Sequence, residues 1–425
     1  MNPDSPSSGS PASSDGPVSP DGLENPIPTG IQLMALDPAF REDPYPILAD
    51  LRRRDPVHHD VQLGRYVLTR HDDVERVLRN PNHWSDPRKA LPGSFSHEFL
   101  GRDDQEPSML LMDDPGHKRL RNLVRHPFKP RAVAKWRERA REVATRVISE
   151  LEEGEFDLIA NVANPIPTVV IAELLGVDAE LHEQFKIWSD ASSKGAFGPA
   201  NDPADVVAAE EASECLNGFF RDEIEKRRSC PGQDLMSSML NTEQTDDRLT
   251  DEEIVSQCTL LLLAGNLTTS DLIGNSVSAL LRHPGQLEKL RGNPGLMQNT
   301  VEEVLRYDTP VTNSGRIAHE DMEIEGVKIG QGETLSVSLA AANHDPAVYP
   351  DPDTFDIERK DTHHQAFGGG THFCLGSHLA RLEAAETLSV LMDRFPKLSL
   401  GDAGHRYAGN PSFRGFETFS VLGEH

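Results

Sequence analysis

The residues with the clearest chemical potential sit in one Gly-rich loop, Phe367-Gly-Gly-Gly-Thr-His-Phe-Cys-Leu-Gly376. Cys374 lies just ahead of a helical stretch, where unpaired backbone N–H groups and the helix dipole favour a thiolate over a thiol. Gly368, Gly370 and Gly376 carry no Cβ, so a large flat group could approach the backbone closely. His372 is placed to donate to an acidic group beside the sulfur. The other cysteines, Cys215, Cys230 and Cys258, are scattered, and none forms a CxxC pair with Cys374. A lone thiolate suits a metal whose other positions are already filled by a planar cofactor.

Four further sets have spacing that matters. Glu303-Val-Leu-Arg306 places an acid and a base on one helix face, followed by Arg359 in Phe355-Asp-Ile-Glu-Arg359. His117 and Arg121 stand four residues apart, again on one helical face, and Arg316 follows the Glu303 helix. Taken singly, each of these is an ordinary surface charge. Within Ala264-Gly-Asn-Leu-Thr-Thr269, Gly265 removes a side chain and would allow a local kink. Thr268 offers a hydroxyl that either holds water and relays protons or bonds back to a carbonyl one turn earlier.

The cysteine loop resembles, at every defining position, the F-G-x-G-x-H-x-C-x-G signature of the cytochrome P450 family. Glu303-x-x-Arg306, His117-x-x-x-Arg121 and the Ala264–Thr269 segment are similar to further motifs of that family, in the family's order, over about residues 31–425. The resemblance implies a mainly α fold with a smaller β portion and a long central helix over the haem. It implies haem b (heme b) with iron coordinated by Cys374, and propionate partners His117, Arg121, Arg316 and His372. Ala264, Phe367 and Gly376 would also line the cofactor. Thr268, Gly265 and Asn266 would form the oxygen side, and Glu303, Arg306 and Arg359 a structural triad.

The activity implied is that of a monooxygenase. It would insert one atom of dioxygen into a moderately hydrophobic organic molecule, by hydroxylation or epoxidation. The chain departs from the pattern at Leu267, where relatives carry an acid. Protons would then come through Thr268 and water, with Asn266 as a weaker compensation. The departure also leaves open a peroxygenase or a rearrangement enzyme. A non-catalytic partner protein of the same fold would be expected to lack the cysteine.

The elements that must position these residues are mostly helical. Thr250-Asp-Glu-Glu253 has the form of a capping box, opening a helix that runs towards Arg282. At roughly 32 residues it would be about 48 Å long. Its middle, CTLLLLAGNL, is apolar nearly all round and should be buried. Further helices are expected over Met297–Arg306 and about Ser377–Phe395, and residues 311–340 alternate like strands. Residues 1–30 hold seven Pro, seven Ser and four Gly and read as a disordered tail. Residues 31–425 read as a single catalytic domain.

Composition narrows the setting. The formal charge is −27, which argues against nucleic-acid binding. No apolar run approaches the ~18 residues of a membrane helix, and no secretion signal is evident. A cytoplasmic enzyme that does not bind membranes is expected. Against that acidity, residues 117–142 hold ten Lys or Arg and two Glu, including Lys118, Arg119, Arg125, Lys129, Arg131 and Arg137. This stretch reads either as a solvated face or as a dock for an acidic ferredoxin or flavodoxin, since no flavin or iron–sulfur domain is fused to the chain. The substrate pocket is expected from about Trp84–Met112, Ile171–Ala209, the long helix at Leu263, Ala264 and Leu267, and Ser336–Leu339. Ser192 to Asn201, rich in small residues, suits either a mobile lid or an inert loop.

Overall fold

The computed structural model describes residues 26–101, 108–178, 181, 184–185, 187–189, 191–192, 203–241 and 248–425. Most of the expected tail lies outside these residues, but its last part does not. Thr29 Oγ1 and Gly30 N donate to Asp60 Oδ1 at 2.7 and 2.9 Å. Asp60 is buried and needs donors, so the chain is anchored slightly before the boundary that composition suggests.

The long helix spans Asp251–Arg282 and stays α-helical throughout. Its capping box forms: Glu253 N donates to Thr250 Oγ1 at 3.2 Å, and Thr250 N to Glu253 Oε2 at 2.8 Å. Residues 269–280 are all buried, because the helix is wrapped by Pro165–Leu175, Pro203–Ser229, Met297–Tyr307 and Ser377–Arg394. The largest hydrophobic cluster surrounds it, drawing on residues from Met109 to Val421. The two expected later helices appear within a residue of their expected ends.

The strands are β1 (Val57–Asp60), β2 (Arg65–Leu68), β3 (Gly154–Asp157), β4 (Asn313–Ile317), β5 (Met322–Ile324), β6 (Val327–Ile329), β7 (Thr334–Ser338), β8 (Lys397–Tyr407) and β9 (Phe416–Glu424). They form a four-stranded sheet in the order β1-β2-β7-β4, a three-stranded sheet β3-β9-β8 and the hairpin β5-β6. β2 and β7 pair in parallel, with Arg65 opposite Thr334. Arg316 sits on β4 opposite Leu335, so the sheet edge fixes where its side chain starts. A second cluster, including Val74, Val77 and Leu78 of the helix His71–Arg79, packs this sheet.

Candidate active site

The cysteine loop is held by its own backbone and by a neighbouring helix. Cys374 N donates to Phe367 O at 2.9 Å, and Gly370–His372 form a 3-10 turn. Gly370 has φ +66°, and a Cβ there would lie 2.3 Å from Leu78 O. Its glycine is therefore required for packing on the helix His71–Arg79. At Gly376 a Cβ would meet nothing within 4 Å. The N–H groups of Gly376 and Ser377 do point at the Cys374 thiol. Burial nevertheless pushes its pKa up, outweighing those bonds and the charges of Arg121 and Arg381. The expected preference for thiolate therefore needs more positive charge than the protein alone supplies.

Beneath Phe367 lies a network that the motifs did not reveal. The Arg381 guanidinium stacks 4.3 Å from the Phe367 ring centroid. Glu302 receives Arg381 Nη2 at 3.0 Å, and its Oε2 lies 3.1 Å from His364 Nε2. Ala366 N donates to His364 Nδ1, so Nε2 carries the proton and donates to Glu302. Burial opposes ionisation of Glu302, but His364 and Arg381 outweigh it and hold the carboxyl at about 2. The signal in the sequence was the doubled acid Glu302-Glu303, of which one partner looks like spare surface charge.

The other partner is fully committed. Glu303 and Arg306 are 0% exposed and paired through two bonds of 2.8 and 2.9 Å. Arg306 also donates to the carbonyls of Asn343, Pro352 and Thr354, and Arg359 Nε reaches Glu303 Oε1 at 3.2 Å. All three expected residues meet. Asn343 Oδ1 accepts from Gln365 N at 2.7 Å, which passes this order to the start of the cysteine loop.

Four cationic or N–H-bearing groups gather on one side. His117 and His372 stack with centroids 4.1 Å apart, and Arg121 donates to Phe373 O. His117 Nδ1 lies 3.3 Å from Asp114 Oδ1, while its buried Nε2 has no hydrogen-bond partner among the described residues. Arg316 is buried against Gly315 O and Ser314 Oγ, with no carboxylate paired to it among the described residues. Burial brings Arg316 down to about 10. Burial and the charges of Arg316, His117 and Arg121 bring His372 to about 3. An orphaned imidazole nitrogen and, in the same cluster, a buried guanidinium with no carboxylate bonded to it make a seat for an anion, and two propionates fit it.

The residues expected on the oxygen side lie at the middle of the long helix. Ala264 is exposed, and Gly265, Leu267 and Thr268 are partly so, immediately before the buried stretch. Thr268 Oγ1 donates to Ala264 O at 2.8 Å, the back-bond that was one of its two readings, which leaves its lone pairs free to accept. Gly265 produces no break in the helix; a Cβ there would meet Ile171 at 3.5 Å. Asn266 is turned away from Thr268. Its Nδ2 donates to buried Ser189 Oγ at 3.1 Å, and its Oδ1 lies 3.3 Å from Ser270 Oγ, so its amide is spent on packing. Ser192 alone represents the small-residue stretch; residues 193–201 lie outside the described residues.

The profile described as Cytochrome P450 matches residues 199–401. The 6-deoxyerythronolide B hydroxylase of Saccharopolyspora erythraea is 37% identical, over 85% of this chain and 91% of that protein. The vitamin D(3) 25-hydroxylase of Pseudonocardia autotrophica is 39% identical, over 85% and 88%. The chain belongs to the cytochrome P450 family. Among solved structures, P450BioI in complex with an acyl carrier protein bearing hexadec-9Z-enoic acid superposes with TM-score 0.82, at 34% identity over 91% of this P450 and all of that chain. The mainly helical P450 fold with its smaller sheets is thereby established. This P450 is an oxidoreductase whose family uses haem with iron bound by cysteine, and small molecules, dioxygen and redox partners as reactants. Among the described residues no helix is long and apolar enough to cross a membrane.

Proposed function

We propose that this P450 is a cytoplasmic monooxygenase that hydroxylates or epoxidises a moderately hydrophobic small molecule, with electrons from an external acidic ferredoxin or flavodoxin. The observation that carries the reading is the cluster of His117, Arg121, Arg316 and His372 beside Cys374, in which the buried His117 Nε2 has no hydrogen-bond partner and the buried Arg316 no bonded carboxylate among the described residues. Cys374 supplies the sulfur ligand, with Gly376 and Ser377 N–H groups moderating its charge. His117 Nε2, Arg121, Arg316 and His372 hold the propionates. Phe367, Gly376 and Ala264 border the ring, and Glu303, Arg306 and Arg359 keep the segment before the loop in place. When bound, the haem supplies the activation of dioxygen that puts one oxygen atom into substrate and releases the other as water. Thr268 holds a proton at Oγ1 and accepts one from water, and the apolar residues Leu263 and Leu267 keep bulk solvent from the substrate.

The donor dock is smaller than the sequence suggests. Arg119 pairs with Glu253, Arg137 and Arg141 with Glu386, and Arg139 with Glu173. Lys118, Arg125, Lys129, Arg131 and Lys135 stay exposed and have no carboxylate partner among the described residues. These five are the cations left to form the surface on which an acidic donor would land. Donor-dependent turnover should therefore fall steeply as salt rises; turnover indifferent to ionic strength would remove the acidic donor from the proposal. The decisive test is Cys374→Ser. Reduced, carbon-monoxide-treated wild type should show the long-wavelength thiolate Soret band, and the variant should lose it.

A further inference from the structure

Position 267, where the family carries an acid, is leucine, yet an acid stands four residues on. Residues 267 and 271 lie one helical turn apart on the same face, and Asp271 is three residues from Thr268. Asp271 is 5% exposed, and no described residue hydrogen-bonds its carboxyl. The surrounding groups explain why it stays unpaired. Arg414 Nε is spent on Asp308 Oδ1 at 2.6 Å, and Tyr45 Oη also donates to Asp308, at 2.8 Å. Arg414 further lies 4.3 Å from the Tyr407 ring centroid and donates to Arg41 O. Asn275 gives its amide to Asp308 O and Arg414 O.

Burial, and secondarily the charge of Asp308, push Asp271 up to about 8. At neutral pH it is a carboxylic acid with a proton to give. The backbone of Gly415 lies directly on it, since a Cβ at 415 would sit 1.8 Å from Oδ1. Gly415 and Arg414 also line a narrow, half-open cleft with Phe40, Arg41, Thr312 and Tyr407. The acid thus lies on the helix face of Leu267, one turn on, beneath the backbone of Gly415, which itself borders that cleft.

We propose that Asp271 is the proton-holding acid behind Thr268 in this P450, displaced one helical turn from the family's position. This rests on the monooxygenase reading. The proton leaves the Asp271 carboxyl, crosses water to Thr268 Oγ1 and moves on to the oxygen side. The carboxylate left behind regains a proton from solvent through the Gly415 cleft, and no electron moves in the relay. Asp271 acts through Thr268 and does not itself touch the cofactor.

The test uses haem-loaded full-length protein with a surrogate ferredoxin, its reductase and NADPH, following oxygen uptake in ordinary and heavy water. Three chains are compared: wild type, Asp271→Asn and the double variant Leu267→Glu/Asp271→Asn. Asp271→Asn should keep the carbon-monoxide band, slow oxygen uptake by about tenfold or more and raise the solvent isotope effect. The double variant, with its acid returned one turn, should recover most of the rate, which a merely structural role would not allow. Uptake in Asp271→Asn equal to wild type, or no recovery in the double variant, overturns the proposal.

Two measurements do not depend on the variant's turnover. Wild-type uptake should fall as pH rises through the raised carboxyl value, and a flat profile there counts against Asp271. Because that pKa is raised by folding, wild-type stability should also decline across this window relative to Asp271→Asn, read as melting temperature. A wild type that takes up no oxygen at all would sink the monooxygenase reading, and the proposal with it. A working wild type with an equal variant sinks only the role of Asp271.

Discussion

The proposed sulfur side and the proposed oxygen side of this P450 are built on opposite electrical plans. Around the cysteine loop, charge is abundant and bound: Glu302, Glu303, Arg306, Arg359 and Arg381 are linked to one another or to backbone carbonyls. Along the middle of the long helix the groups are apolar or weakly polar, and the one acid, Asp271, has no cation beside it. An ion-rich floor of this kind suits a sulfur ligand that must be held in one place. A sparsely polar ceiling leaves protons few places to wait, so each group there counts for more.

The contrast breaks most severely at Arg306. Arg306→Ala would leave Glu303 charged, buried and without its bidentate partner, a loss of about 3–5 kcal/mol. Urea unfolding should show that loss, together with failure to retain haem; a stable variant would mean the floor does not rest on this pair. Glu302 tests the same floor through pH. Its folded pKa is depressed, so its contribution is complete above the ordinary ~4.3 of a free Glu and is lost as pH falls through the folded value. With the carboxyl held at about 2, the loss should be on the order of 2–3 kcal/mol in that acid window. Glu302→Gln should flatten that part of the stability profile; an unchanged slope would refute the pairing. On the ceiling, Thr268→Ala should barely alter unfolding, since it removes one back-bond, but should divert electrons from product to peroxide. A variant with wild-type coupling would show that the hydroxyl does nothing beyond that back-bond.

Legibility in the sequence followed the same divide. The long helix was readable because its cap, length and apolar middle are local properties. Phe367, Cys374, Glu303 and Arg306 were readable because their spacing is fixed by a single loop or a single turn of helix, whereas Arg359, 56 residues from Glu303, was joined to them only by the family resemblance. Glu302, His364 and Arg381 were not, since their meeting depends on three segments whose docking no short pattern encodes. Asn266 misled for a related reason: its neighbour in sequence is Leu267, but its partner is Ser189, far along the chain. The partners of Arg119 and Arg137 were also hidden, because Glu253 and Glu386 arrive from other helices.

The parallel pairing of β2 with β7 carries a consequence for biosynthesis. Arg65 and Thr334 are bonded neighbours in the finished sheet but emerge from the ribosome far apart in time. Until the later strand is made, the β1–β2 hairpin presents an open edge, with only its antiparallel partner for cover. Two-stranded ribbons are marginal by themselves, so this part of the enzyme gains its order late, near the end of synthesis.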